Sequence, residues 1–199
     1  MITAIDKNAA LVVIDLQSGI VKMDLVQPGR EIVQQSAKLV EAFHRSGLPV
    51  VVVNVVPFGA PSGQVRTQAP GMPKDEAGQK QMREMMEAGG FFTIVPELGA
   101  RPDDVYITKK TWNAFYDTPL EVELRRLGVT QIVLCGIATS IGVEGTARAA
   151  YERGFNVAFV EDAITDLVAT AHENSLTSIF PRLGEIGSTE SVIGLLAKR

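Results

Sequence analysis

Hydrophobic positions in this chain gather into short unbroken runs, separated by stretches with helical spacing. Residues 10–14, 50–53, 132–135 and 157–160 are rich in Val and Ile and show no alternation with polar residues. Continuous runs of this length predict parallel strands buried on both faces. A weaker run at residues 105–108 predicts another strand, and residues 184–187 a short last one. Between them, residues 31–46 set Ile32, Ala37, Leu39, Val40 and Phe43 on a broad stripe that stops at Gly47, a C-terminal helix signal. Residues 119–127 and 145–153 likewise end before Gly128 and Gly154, and residues 169–183 and 188–198 complete the helical series. Strands alternating with helices predict a three-layer α/β/α fold, a doubly wound parallel sheet with right-handed crossovers. Residues 1–199 are expected to form one domain of this kind.

The exception to the alternation is a long connection, residues 57–90, rich in glycine and proline. Loops of this length in compact domains are usually functional or mobile. Within it, residues 80–88 predict a short helix with Met82, Met85 and Met86 on one face. That face either patches the chain's own core or a neighbouring subunit, or contacts a ligand.

Composition narrows the partners. A hydrophobic content of 46% with 21% charged residues is that of a soluble globular protein. The net charge of −4 leaves no basic footprint for nucleic acid. The first apolar run is broken by Asp15, too short for a membrane span, and the N-terminal flank does not read as a signal peptide. One cysteine makes no internal disulfide, which fits a cytoplasmic setting. The partner expected is a small-molecule substrate, with neither nucleic acid nor membrane involved, and the chain is expected to form a homo-oligomer.

The candidate chemistry sits at strand ends, because ligands of open α/β sheets bind outside the carboxyl ends of the strands. Asp15 follows the first run directly, where it either faces that crevice or caps a turn. Gln17 keeps the same parity if the strand continues, and can bond a ligand or Asp15. Lys109 and Lys110 follow the weaker strand. A lysine pair on a loop is usually solvated, but Trp112, Phe115 and Tyr116 follow closely and suggest an aromatic wall beside a cation. After residues 132–135 the chain turns through a small-residue elbow, Gly136-Ile-Ala-Thr-Ser-Ile-Gly142, whose tip is a glycine. Cys135 lies before the elbow and reads as a small buried hydrophobe. His44 and His172 are isolated, so no metal site is expected, and no glycine-rich phosphate loop implies a cofactor.

Taken together, Val12-Val-Ile-Asp-Leu-Gln17, Lys109-Lys-Thr-Trp-Asn-Ala-Phe115 with Thr118 and Leu120, the elbow at residues 136–142, and Val160-Glu-Asp-Ala163 resemble the isochorismatase-like (cysteine hydrolase) family over nearly the whole chain. The resemblance implies catalytic roles for Asp15 and Lys109. It implies substrate contacts from Gln17, Trp112, Phe115, Ala138 and Gly142. It also implies a cis Ile137–Ala138 peptide whose neighbouring N–H groups serve as anion donors. Most members of that family use a Cys nucleophile, and its position falls on Gly142. Without a thiolate no acyl-enzyme forms there. Isochorismatases themselves also carry glycine, and cleave a vinyl ether by protonating the enol carbon from the Asp before water adds. Ala138 and Thr111 depart from their pattern, replacing a tyrosine and an arginine.

Two readings follow. One is a cysteine-independent hydrolase acting by Asp15 general acid–base catalysis on a small organic substrate. The other is a catalytically inactive module that binds small molecules or supports assembly. A general acid needs a raised pKa, whereas Lys109 lowers it. Burial behind Trp112 and Phe115, or a substrate carboxylate, is the expected remedy.

Overall fold

The computed structural model describes residues 1–68 and 72–198; part of the long connection, residues 69–71, lies outside the described residues. Six strands, β1 (Ala9–Ile14), β2 (Val50–Val55), β3 (Val105–Lys109), β4 (Gln131–Ile137), β5 (Asn156–Thr165) and β6 (Glu185–Gly187), form one sheet. Its order is β3-β2-β1-β4-β5-β6, and every ladder is parallel. The helices are α1 (Ser18–Val21), α2 (Gly29–Arg45), α3 (Glu76–Ala88), α4 (Leu120–Arg126), α5 (Glu144–Glu152), α6 (Ala169–Asn174) and α7 (Thr189–Leu196). The three-layer doubly wound fold expected from the alternation is the fold observed.

The unbroken apolar runs are explained by cores on both faces. Leu11 and Val13 of β1 pack into one layer with Ile32, Leu39 and Phe43 of α2 and Val192 of α7. Their neighbours Ala10, Val12 and Ile14 pack into the other with Leu120 and Leu124 of α4 and Ala147 and Ala150 of α5. Side chains alternate across a strand, so both parities of β1 must be apolar. Strand order reverses beside β1: β2 and β3 extend to one side, β4 to β6 to the other. The crevice beyond the carboxyl ends of β1 and β4 is therefore the switch point where such sheets bind ligands.

Three elements differ from expectation. β5 continues to Thr165 across an irregularity that sets Phe159 opposite Leu134 but Ile164 opposite Gly136. Asp162, in the intervening bulge, accepts from the Thr189 N–H (2.7 Å) and hydroxyl (2.9 Å) and so ties β5 to α7. The helix expected at residues 169–183 breaks after Asn174 into a π turn (Ser175–Ile179) and a 3-10 turn (Phe180–Arg182). Pro181 lacks the N–H that a continued helix would need. The methionine-bearing helix α3 is longer than expected, starting at Glu76 after the N-cap Asp75, whose carboxylate accepts from the Gly78 N–H at 2.8 Å. None of its residues is buried, so it does not patch the chain's own core.

Candidate active site

β1 ends at Ile14, and Asp15 then takes a left-handed backbone conformation, φ 52°. Among residues other than glycine, Asp is one of the few that enters this region readily. The turn breaks strand parity, and this corrects the expectation for Gln17. Its amide binds the end of β2 instead, donating to the Val55 carbonyl (3.1 Å) and accepting from the Val55 N–H (2.7 Å). Gln17 is fully buried and does not line the crevice.

Lys109 is the last residue of β3, in register with Val55. Strands one apart in a sheet are separated by about 4.8 Å, so β3 lies about 10 Å from β1. The lysine stem, the Asp15 side chain and the hydrogen bond between them close that gap together. Lys109 Nζ donates to Asp15 Oδ2 at 2.6 Å and to the Thr111 carbonyl at 3.1 Å. Both side chains are buried, and among the described residues Asp15 Oδ1 has no hydrogen-bond partner. Burial pushes the Asp15 carboxyl up to about 6, outweighing the Lys109 charge and hydrogen bond that pull it down. Desolvation thus supplies the raised pKa that a general acid needs.

The elbow is built by close packing. At Gly136 (φ 115°) β4 approaches β1 so tightly that a Cβ would fall 2.0 Å from the Ile14 carbonyl oxygen. Only glycine fits there. The Ile137–Ala138 peptide is cis, and a π turn, Thr139–Val143, leads into α5. Three elbow amides turn inward rather than toward a ligand. The Ser140 N–H donates to Asp166 Oδ2 (2.6 Å), and the Ile141 and Val143 N–H groups donate to the Ala138 carbonyl (3.1 Å each). At the tip, a Cβ on Gly142 would lie 2.8 Å from Ile14 Cγ2 and 3.3 Å from Asp15 Oδ2.

Asp166 and His172 are the functional-site residues that sequence reading missed. Asp166 Oδ1 also accepts from the Leu167 (2.8 Å) and Val168 (3.1 Å) N–H groups. His172 Nδ1 meets the Thr139 hydroxyl at 2.8 Å, and Gln27 lies on its far nitrogen at 3.4 Å. Both hold the elbow from behind. Asp166 had a signal, a carboxylate directly after a strand, but the apolar run appeared to end at Val160. His172 had none, because its partner lies 33 residues away.

One cavity of about 700 Å³ brings Asp15, Lys109, Trp112, Ala138 and Gly142 together. Ile20, Met23, Val55, Met72, Ile141 and Leu167 give it mainly apolar walls. Phe115 is not among its lining residues, which corrects the expected aromatic wall. It packs in the core with its ring 6.0 Å from that of Phe155, and Tyr116 is exposed. Only Trp112 of the three aromatics reaches the cavity, and it is 63% exposed.

Cys135 is fully buried in the opposite core layer from Phe115, and burial pushes its thiol up to about 12. Native protein is therefore expected to resist iodoacetamide, since the thiolate is the reactive form. Mass spectrometry before and after denaturation checks this, and rapid native labelling would contradict the assignment. His44 pairs with Asp104 at 2.7 Å, away from His172. Among the described residues no group of three or more His, Cys, Asp or Glu side chains is placed to hold a metal ion, and no helix is long and apolar enough to cross a membrane.

The fold and site define a doubly wound α/β protein with a buried carboxylate–ammonium pair at its switch point. Residues 9–191 match the isochorismatase domain model, and the chain belongs to the isochorismatase family. It is 40% identical to the isochorismatase family protein YwoC of Bacillus subtilis over 94% of this chain and 93% of that one. It is 39% identical to YecD of Escherichia coli O157:H7 over 96% and 97%. An isochorismatase family protein from Burkholderia thailandensis superposes with a TM-score of 0.85 at 41% identity, covering 98% of each chain. More distant relatives are named hydrolases. The ureidoacrylate amidohydrolase RutB of Methylobacterium radiotolerans is 29% identical over 82% of this chain and 68% of its own.

Proposed function

We propose that this chain is a hydrolase of small organic molecules that works through Asp15 and Lys109, without a cysteine nucleophile. The observation that carries this reading is the buried Asp15–Lys109 pair on an apolar cavity, with Gly142 against the same carboxylate. Gly142 stands where most of the family carries its nucleophile, so the chemistry falls to the acid. Protonated Asp15 delivers its proton to an electron-rich carbon or to a leaving heteroatom. The Lys109 ammonium stabilises the carboxylate that forms. Water then adds to the resulting cation, and its proton returns to Asp15.

The test is a hydrolysis screen over enol ethers, esters and amides, run beside Asp15→Asn. Turnover that Asp15→Asn removes supports the proposal. Turnover that Asp15→Asn retains would remove Asp15 from the mechanism, whereas ligand binding with no turnover across the set would favour an inactive binding module.

Restoring the family's usual residue is expected not to restore its usual chemistry. A side chain at position 142 crowds Ile14 Cγ2, and its sulfur would extend from a Cβ already 3.3 Å from Asp15 Oδ2. Overpacking of this kind costs about 1–3 kcal/mol. Nucleophilic attack also needs a carbonyl held within about 3–3.5 Å of an oriented thiolate. Gly142→Cys should lower native turnover at least tenfold, roughly the rate equivalent of 1.4 kcal/mol, and gain no amidase activity. Efficient amide hydrolysis by this variant would refute the reading of the elbow.

A further inference from the structure

We propose that the cavity selects an apolar molecule bearing one negatively charged group, which Lys74 and Lys110 hold rather than Lys109. The inference deepens the proposed function and rests on the cavity being a substrate site.

The charge of Lys109 is already committed, to Asp15 at 2.6 Å and the Thr111 carbonyl at 3.1 Å. Asp15 is the only carboxylate among the described lining residues, so the buried pair contributes no net charge when both groups are ionised. Two further lysines line the same cavity, Lys74 and Lys110. Among the described residues neither forms an ion pair within 4 Å, and Lys74 makes only a long contact with the Val65 carbonyl, 3.4 Å. On the exposed helix faces, by contrast, cations such as Arg45, Arg83 and Arg148 are paired with acids one turn away. The chain as a whole carries a net charge of −4, so this cavity inverts the sign of the protein around it.

The two lysines also arrive independently. Lys110 follows β3, whereas Lys74 comes from the long connection before α3. A cleft lined by one sign of charge with low-dielectric walls focuses its field and raises the local concentration of the opposite ion. The apolar walls accept the body of the ligand, and the two ammonium groups accept its charged end. An anion seated there would also oppose ionisation of Asp15 and so favour its acid form.

Trp112 is the single tryptophan of the chain and lines this cavity, so its fluorescence reports occupancy. The probes are phenylacetate, 4-phenylbutyrate and 6-phenylhexanoate, each titrated beside its primary amide, which matches its shape without the charge. Two exposed ion pairs of ordinary strength predict carboxylates binding about five- to tenfold more tightly than amides. Salt at about 0.5 M should shrink that margin by screening. The margin should fall below about twofold in the Lys74→Gln/Lys110→Gln double variant and persist in Asp15→Asn. Equal binding within every pair, or no saturable quenching by any carboxylate, would overturn the proposal. So would a preference that survives in the double variant, since the anion would then sit on Lys109. Hydrolysis plays no part in this readout, so failure of the proposed chemistry and failure of this selectivity are separately visible.

Discussion

Asp15→Asn is expected to abolish turnover on whatever substrate the hydrolysis screen finds. An amide of the same shape cannot deliver a proton, and a positioned general acid contributes about 10²–10⁴-fold to rate. The wild-type pH profile should carry the same signature. Asp15 titrates at about 6 in the folded protein, so activity that requires its acid form is present below that value and declines as pH rises through it. Stability offers an independent check. The unfolded carboxyl ionises near 3.8, whereas the folded one keeps its proton to about 6. The folded state therefore binds the extra proton between those values, and the stability Asp15 contributes is lost as pH rises from about 4 to about 6. Asp15→Asn lacks this slope, so urea melts of the two proteins at pH 4 and pH 6.5 should diverge in that sense. Full activity in the variant would remove Asp15 from the mechanism.

Lys109→Met is expected to be the most destabilising single change at the site. Removing one partner of a buried ion pair costs about 3–5 kcal/mol, because the remaining charge is left without compensation. Among the described residues Asp15 Oδ1 already lacks a hydrogen-bond partner, and Oδ2 would lose Lys109 as well. The penalty should shrink as pH falls, since a protonated Asp15 no longer carries the stranded charge. It should also shrink in the Asp15→Asn/Lys109→Met double variant, where no charge is buried. Chemical denaturation of the four proteins at pH 5 and pH 8 gives the coupling directly. Additive losses across the cycle, with no pH dependence, would mean that the two groups do not act as a pair.

The local residue pattern was enough for the layers, the strand ends and the candidates Asp15 and Lys109. Val and Ile runs without alternation require two buried faces, and an ionisable residue after such a run must stand at a sheet end. Ala138 and Gly142 were legible as the elbow because small residues follow the run directly. Gln17 and Phe115 were misplaced for one shared reason: the direction of each depends on a turn that periodicity does not encode. Asp15 leaves the extended region, which sends Gln17 to β2, and the segment after Lys109 sends Trp112 outward and Phe115 into the core.

What the sequence determined by itself is therefore the doubly wound sheet and the placing of Asp15 and Lys109 at its strand ends, since both follow from spacing within a few residues. The tertiary structure alone decided which groups meet. Lys109 reaches Asp15 only because β3 and β1 flank β2, and Asp166 and His172 support the elbow only because β5 and α6 return beside it. It also decided the protonation of Asp15. Burial raises that pKa and Lys109 lowers it, and their balance is set by a three-dimensional environment that no local stretch of sequence contains.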